Sequence, residues 1–171
     1  MSTAFQALLS PVGRIRKNGR VAGKIVVGVD GSAHSAAALR WAAEEAAIRS
    51  APLEIVHAWS FVPVATPADS GLVPMAWTDN VELLDVTRQA AQDAAAAQVE
   101  EVLGADHGAT VSVVEGGPAE ALLDAAKDAD LLVVGNRGRG NLAAALLGST
   151  SAKVADSAPC PVVVVRAHPA D

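Results

Sequence analysis

Apolar residues along the chain gather in five short runs that are rich in valine and isoleucine and hold few charges. Runs of about four to eight such residues are typical of strands that are buried on both faces, as in a parallel sheet. The pattern therefore predicts five strands, over residues 24–30, 53–59, 109–114, 130–135 and 162–165.

Between these runs the apolar positions recur at helical spacing, which predicts four helices. They cover residues 32–49, 80–103, 118–128 and 149–157. Ser32 suits the N-cap of the first helix, and Pro118 suits the first turn of the third. Strands that alternate with helices pair in parallel through right-handed crossovers and place helices on both faces of the sheet. The sequence therefore predicts a single α/β domain with an open, Rossmann-like parallel sheet.

The remaining segments show neither a continuous apolar run nor apolar positions at helical spacing. Residues 60–79 hold three prolines and a glycine, so we expect a long loop there. Residues 1–24 carry five basic residues and no acidic one. This composition predicts a flexible arm over residues 1–22, with a tether to membrane or nucleic acid and a transit peptide as the alternatives. The predicted domain covers residues 23–166 and leaves a short tail over residues 167–171.

Composition and charge narrow the class of protein. Residues 25–171 carry eight basic and nineteen acidic side chains, and such an acidic body repels nucleic acid. No stretch approaches the roughly eighteen consecutive apolar residues of a membrane span, and the start of the chain lacks the pattern of a signal peptide. A single cysteine, Cys160, excludes an internal disulfide. We therefore expect a cytoplasmic protein that binds neither nucleic acid nor membrane.

Polar and glycine-rich residues follow the first and the fourth predicted strands. In a sheet of this kind, ligands bind beyond the carboxyl ends of the strands, where the strand order reverses. Asp30 ends the first strand, and a carboxylate there suits ribose hydroxyls or a bridging metal ion. After the fourth strand, Gly135, Gly138 and Gly140 permit close approach of the backbone to a ligand.

The last predicted helix begins with Gly148-Ser149-Thr150-Ser151. Free N–H groups and the positive end of the helix dipole favour a phosphate there, and the hydroxyls add hydrogen bonds. Each piece also has a purely structural interpretation, the glycines as an ordinary loop and Asp30 and the hydroxyl residues as helix caps. Their occurrence together at neighbouring strand ends favours a binding site.

The order and spacing of these motifs resemble the ATP-binding members of the universal stress protein family. The resemblance covers residues 23–166 and rests on VGVDGS at 27–32, VHAW at 56–59, VVGNRGRG at 133–140, GSTS at 148–151 and SAPCPVVVV at 157–165. It implies a five-stranded parallel sheet of order 3-2-1-4-5. The order then reverses between strands one and four, whose ends hold the candidate residues.

The resemblance also implies roles for particular residues. Adenine would lie near the end of the second strand, against the backbone around Ala58. The ribose and a divalent cation would contact Asp30, with Gly28 and Val29 beside it. The glycine loop would comprise Gly135, Asn136, Arg137, Gly138 and Arg139, and the phosphate cradle Gly148, Ser149, Thr150 and Ser151. The implied cofactor is ATP with Mg²⁺ or Mn²⁺.

The function that the resemblance implies is regulation by bound ATP in a stress response, through a change of shape or of protein partner. The alternatives are a slow ATPase or phosphotransferase, and a sensor of AMP or cyclic AMP. The chain has no GxxxxGK[ST] loop and no evident carboxylate and histidine pair to position a water molecule. We therefore expect weak or absent hydrolysis.

The last predicted strand indicates an assembly. In the order 3-2-1-4-5 it lies at an edge of the sheet, and its sequence, Val162-Val163-Val164-Val165, is apolar and uncharged. Unpaired N–H and C=O groups on such an edge favour pairing with another strand. We therefore expect a homodimer in which this strand pairs with its copy, in line with the dimers of the family that the chain resembles. The alternative is that residues 167–171 or the arm over 1–22 cover the edge.

Overall fold

The computed structural model describes residues 23–60, 81–138 and 147–167. The predicted arm over 1–22, nearly all of the predicted loop, Arg139, Gly140 and residues 168–171 lie outside these ranges. Within them, strands and helices alternate along the chain. In chain order the elements are β1 Lys24–Val29, α1 Ala33–Arg49, β2 Leu53–Trp59, α2 Val81–Leu103, β3 Thr110–Glu115, α3 Pro118–Ala125, β4 Ala129–Gly135, α4 Ser149–Ser157 and β5 Val162–Val165.

The observed bounds agree with the predicted ones to within one residue, except in the third helix. β1 ends before Asp30, because Oδ1 of Asp30 accepts hydrogen bonds from the N–H of Ser32 at 3.0 Å and from its hydroxyl at 2.6 Å and so turns the chain. Ser32 is the N-cap of α1, as predicted. The third helix was predicted to reach residue 128, but α3 gives way to a 3-10 turn over Ala126–Asp128. Such a tighter turn satisfies carbonyl groups at the end of a helix.

The five strands form one parallel sheet of order β3-β2-β1-β4-β5, which confirms the order implied by the resemblance. β1 lies at the centre, where Ile25 pairs with Leu53 of β2 and with Leu131 of β4. The chain runs outward on one side of β1 through β2 and β3, and on the other through β4 and β5. The order therefore reverses between β1 and β4.

Successive side chains of the central strand enter two separate apolar layers. Ile25 and Val27 pack with α1 and α2, in a cluster that includes Leu39 and Val99. Val26 points to the other face, into a cluster that includes Leu122 of α3 and Val154 of α4. Burial of one such side chain contributes about 1.5–3 kcal/mol. Both faces of β1 are thus fixed, and the position of its carboxyl end is fixed with them.

The longest helix, α2, lies on the same face as α1 and has 23 residues. Its packed stripe follows helical spacing through Ala95, Gln98, Val99 and Val102. Most of its other side chains are exposed alanine, glutamine and acidic residues. None of the helices in the described part of the chain is long and apolar enough to cross a membrane.

Candidate functional site

The carboxyl ends of β1, β2 and β4 open into a cavity of about 650 Å³, beside the reversal of strand order. Small-molecule sites have volumes of about 300–1,000 Å³. The cavity is lined by eleven of the residues that the sequence singled out: Gly28, Val29, Asp30, Ala58, Gly135, Arg137, Gly138, Gly148, Ser149, Thr150 and Ser151. The fold therefore brings four distant segments of the chain to one place.

Asp30 and Gly138 approach each other across the reversal between β1 and β4. The two hydrogen bonds from Ser32 hold Oδ1 of the Asp30 carboxylate. A Cβ atom on residue 138 would collide with Oδ2 of the same carboxylate. Glycine at position 138 therefore gives the Asp30 carboxylate its place at the mouth of the cavity.

Gly135 is required for a different reason. A Cβ atom there would lie 2.8 Å from the backbone carbonyl carbon and oxygen of His34, in the first turn of α1. Helix backbone cannot move aside as the end of a side chain can, so a larger residue would push α1 away from β4. Gly135 lines the cavity, but its lack of a side chain first serves the packing of α1 against the sheet.

The helix α4 begins directly at the cavity, at an N-cap residue that has no side chain to cap it. Its N-cap is Gly148, which supplies no side-chain hydrogen bond to the first turn. The N–H groups at such a start are left for another acceptor, and the helix dipole favours an anion there. Ser149 and Thr150 add two hydroxyls to this surface. Ser151 differs, because its buried hydroxyl donates to the carbonyl of Gly135 at 2.7 Å.

Asn136 does not line the cavity but ties together the elements around it. Its N–H donates to the carbonyl of Val165 in β5 at 2.7 Å, and its own carbonyl accepts from the N–H of Gly148 at 2.9 Å. These bonds fix the start of α4 relative to β4 and β5. In the described residues, Oδ1 of Asn136 and Nε of Arg137 are buried without a hydrogen-bond partner. The predicted role of Arg139, outside those residues, stays a prediction.

Part of the cavity wall comes from residues that the sequence did not single out. α2 contributes one side of it, through Thr87, Ala90, Ala91 and Ala94. Alanines on an alanine-rich helix give no chemical signal, and only the topology, which lays α2 beside α1 and the sheet, reveals them. A polar network in the same region was also missed. It joins Gln98 of α2 to the turn after Asp30, and the helical spacing of Gln98 with Val99 and Val102 was the available signal.

Two residues of ambiguous chemistry have structural roles. His57 on β2 is buried, and its Nδ1 lies 3.1 Å from the carbonyl oxygen of Val29. A carbonyl only accepts, so Nδ1 carries the proton and His57 joins β1 to β2. At Cys160, burial first and then the charge of Asp130 raise the pKa of the thiol. A raised pKa leaves less of the reactive thiolate, which agrees with packing as the role of this residue.

Comparisons with known proteins cover the same part of the chain. The sequence model of the universal stress protein family matches residues 22–166. A universal stress protein of Mycolicibacterium smegmatis is 41% identical over 144 residues, which make up 83% of this chain and 47% of that protein. The chain spans about half the length of this and other mycobacterial relatives that it matches.

Two solved structures share the fold. The universal stress protein UspA from Lactobacillus plantarum has a TM-score of 0.64 and 28% identity, and the match covers 86% of this chain and 100% of that one. A universal stress protein in complex with cAMP is 33% identical, with a TM-score of 0.51 and coverage of 86% and 99%. Strand order, motifs and the family match over most of the chain agree, and the chain belongs to the universal stress protein family.

Proposed function

We propose that the cavity binds an adenine nucleotide, ATP together with Mg²⁺ or Mn²⁺, and that the protein is a nucleotide-dependent regulator in a stress response. One observation supports this proposal above the others. A single cavity of about 650 Å³ contains an uncapped helix start, a fixed carboxylate and an apolar wall. These are the three kinds of surface that a phosphate chain, a ribose and a base require.

The phosphate chain fits the start of α4. The N–H groups of its first turn and the hydroxyls of Ser149 and Thr150 offer donors at one point, and the helix dipole favours negative charge there. Arg137 adds a guanidinium group to the cavity lining. Ser151 holds Gly135 through its hydroxyl and contributes to the phosphates through its backbone N–H.

The ribose and the cation fit Asp30. Ser32 fixes one oxygen of the carboxylate, and Gly138 leaves space beside the other oxygen that a Cβ atom would fill. In the described residues, no three His, Cys, Asp or Glu side chains form a ready cage for a metal ion. Mg²⁺ does not need one, because it binds through one or two carboxylates together with phosphate oxygens and water. When bound, the cation would neutralise charge on the phosphates.

The base fits the region between the end of β2 and α2. Ala58 and Trp59 line the cavity from β2, and Ala90 and Ala91 line it from α2. The three alanines have small apolar side chains that leave room for a planar ring, and Trp59 adds an aromatic surface. The universal stress protein that was solved with cAMP is 33% identical to this chain, which supports an adenine nucleotide as the ligand. For the same reason, a sensor of cAMP is the second candidate function.

Calorimetric titration of the protein with ATP in the presence of Mg²⁺ tests the proposal, with AMP, cAMP, adenosine and GTP as comparisons. ATP should bind more tightly than GTP and adenosine, and tighter binding of cAMP than of ATP would favour the second candidate. The variant Gly138→Val should bind ATP at least about tenfold more weakly, because its Cβ displaces the Asp30 carboxylate.

Gly104→Ala is the matched control for that variant. Gly104 follows α2 with a φ of +81°, and a Cβ atom there would meet nothing within 4 Å. An alanine strains the backbone at this position without reaching the cavity, so the protein should lose stability but keep its affinity for ATP. A folded Gly138→Val protein with the affinity of the wild type would refute the proposed site.

A further inference from the structure

The side chain of Gln98 is buried, although it lies on an alanine-rich helix whose glutamines are otherwise exposed in the described residues. Its amide makes three hydrogen bonds, to the turn between β1 and α1 and to the first turn of α1. Oε1 accepts from the N–H of Gly31 at 2.9 Å. Nε2 donates to the hydroxyl of Ser35 at 2.9 Å and to the carbonyl of Ser32 at 3.4 Å. One side chain of α2 therefore holds a turn that lies more than sixty residues earlier in the chain.

The groups that Gln98 holds are the ones that orient Asp30. The hydroxyl of Ser35 accepts from the N–H of Asp30 at 3.3 Å and donates to the carbonyl of Ser32 at 2.9 Å. Ser32 in turn donates twice to the Asp30 carboxylate. Gly31, between them, has a φ of +83°, a left-handed conformation that glycine adopts without strain. The network therefore holds both the backbone N–H and the side-chain carboxylate of Asp30.

The same helix also lines the nucleotide cavity. Thr87, Ala90, Ala91 and Ala94 form the α2 wall, and Gln98 follows Ala94 by one helical turn. A displacement of α2 by a bound ligand would therefore reach the Asp30 turn through Gln98, and a displacement of the turn would reach the wall.

We infer that Gln98 is a positioning residue, which couples α2 to the Asp30 carboxylate and so sets the affinity for the ribose hydroxyls. This inference rests on the proposed function for the identity of the ligand. Gln98 does not line the cavity. It acts on Asp30 through Gly31, Ser32 and Ser35.

Gln98→Met tests the inference, because methionine has a similar length and helix propensity but cannot make the three hydrogen bonds. Gln92→Met is the matched control, an exposed glutamine on the same helix. In the first measurement, without ligand, amide hydrogen exchange at Gly31 should be at least about tenfold faster in Gln98→Met and unchanged in Gln92→Met. Gln98→Glu keeps the acceptor for the Gly31 N–H and should retain most of the protection.

The second measurement compares ATP with 2′,3′-dideoxy-ATP, which lacks the ribose hydroxyls. Gln98→Met should weaken the binding of ATP about fivefold or more and that of the dideoxy analogue much less. When Asp30 is already replaced, in Asp30→Asn, the additional effect of Gln98→Met should be small, since the two residues act in series.

The possible results distinguish a failure of this inference from a failure of the proposed function. Unchanged exchange at Gly31 in Gln98→Met overturns the inference, as does an equal loss of affinity for ATP and its dideoxy analogue, or additivity with Asp30→Asn. If Gln98→Met does not fold, only the two affinity criteria apply to Gln98→Glu, whose lost donor should still weaken the binding of ATP more than that of the dideoxy analogue. A wild-type protein that binds no adenine nucleotide refutes the proposed function, and the exchange at Gly31 then decides separately whether Gln98 holds the turn.

Discussion

The two ends of the sheet use their polar residues in opposite ways. At the amino end, Lys24 forms ion pairs with Glu54 at 2.7 Å and with Asp128 at 2.8 Å, and the N–H of Gly23 donates to Asp130 at 2.9 Å. At the carboxyl end, α4 begins without a side-chain cap, at the edge of a cavity of about 650 Å³. Charged groups at the first end thus satisfy one another, whereas donors at the second point toward a space that a ligand can fill.

The contrast separates residues that hold the sheet together from residues that are available for binding. Substitutions at the amino end should change stability and leave binding unchanged. Substitutions at the start of α4 should change binding and leave stability nearly unchanged, because N–H and O–H groups that make no bond to the described residues contribute little to stability. The following experiments test this separation.

The largest effect is expected at the start of α4. The double variant Ser149→Ala, Thr150→Ala should lose affinity for ATP by about tenfold or more and lose little affinity for adenosine, because a hydrogen bond to a charged group contributes about 1.5–3 kcal/mol. Ser151 is left intact, since its hydroxyl donates to Gly135. Calorimetric titration with both ligands measures the difference.

Ser157→Ala, at the other end of the same helix, is the control. Its hydroxyl donates to Asp156 at the surface, so affinity for both ligands should stay at the value of the wild type. Equal losses for ATP and adenosine in the double variant would show that these hydroxyls do not hold phosphate.

An intermediate effect, a halving of mass, is expected at β5. The carbonyls of Pro161 and Val165 accept hydrogen bonds from Leu132 and Asn136, so the alternate residue Val164 directs its N–H away from β4. Val164→Pro removes that outward donor and should convert the predicted homodimer into monomers, as measured by light scattering. Affinity for ATP should stay within about twofold, because none of the β5 residues Val162–Val165 lines the cavity.

Val164→Thr keeps the N–H and the branched shape, and should remain dimeric. A wild-type mass near that of one chain at micromolar concentration would refute the dimer. A large loss of ATP affinity in monomeric Val164→Pro would instead mean that the cavity depends on the assembly, and the contrast between the two ends would no longer belong to a single chain.

The smallest effect is expected at the amino end. Lys24→Met should lower the Tm by about 4 °C or less and leave ATP affinity unchanged, because partly exposed ion pairs contribute little. Burial by itself lowers the pKa of Lys24, but the hydrogen bonds and charges of Asp128 and Glu54 outweigh it and raise the pKa above 10.5. The hydrogen bond from Lys24 lowers the pKa of Asp128 below 3.8.

These pKa directions fix the pH range of the effect. A raised lysine pKa stabilises the fold at pH values below 10.5, and this contribution is lost as the pH rises through the folded-state value. A lowered aspartate pKa stabilises it above 3.8, and this contribution is lost as the pH falls. The difference in Tm between wild type and Lys24→Met should therefore narrow at both extremes. Lys127→Met removes an exposed ion pair with Asp124 and should not change the Tm measurably. A fall in Tm as large as that of Lys24→Met would contradict a special role for the amino end.

The sheet could be predicted closely because its parallel strands appear in the sequence as short apolar runs that are rich in valine, isoleucine and leucine. The region of the cavity could be predicted because Asp30 directly follows β1, Gly138 lies three residues after β4, and Ser149 begins the helix that precedes β5. What these residues do at the atomic level depends on distant contacts. The sequence does not reveal that Gly135 is required by the backbone of His34, or that the hydroxyl of Ser151 is already engaged.

The α2 side of the cavity was missed for a related reason. Its wall consists of a threonine and three alanines, with the buried Gln98 one helical turn further along, and these residue types are common on solvent-facing helices. Local spacing placed Gln98 on the packed stripe with Val99, but no local rule pairs it with Gly31, because that contact depends on how α2 crosses the sheet. Residue types at strand ends thus locate a site, whereas its walls and supports require the tertiary structure.

The central place of β1 has a consequence for synthesis of the protein on the ribosome. Ile25 pairs on one side with Leu53 and on the other with Leu131. At about 5–20 residues per second, the roughly one hundred residues between β1 and β4 take about 5–20 s to be made. During that interval, the backbone N–H and C=O groups of β1 that later pair with β4 have no native partner. A nascent chain that stalls between α2 and β4 would therefore expose a strand edge prone to aggregation, and would depend on chaperones until β4 emerges.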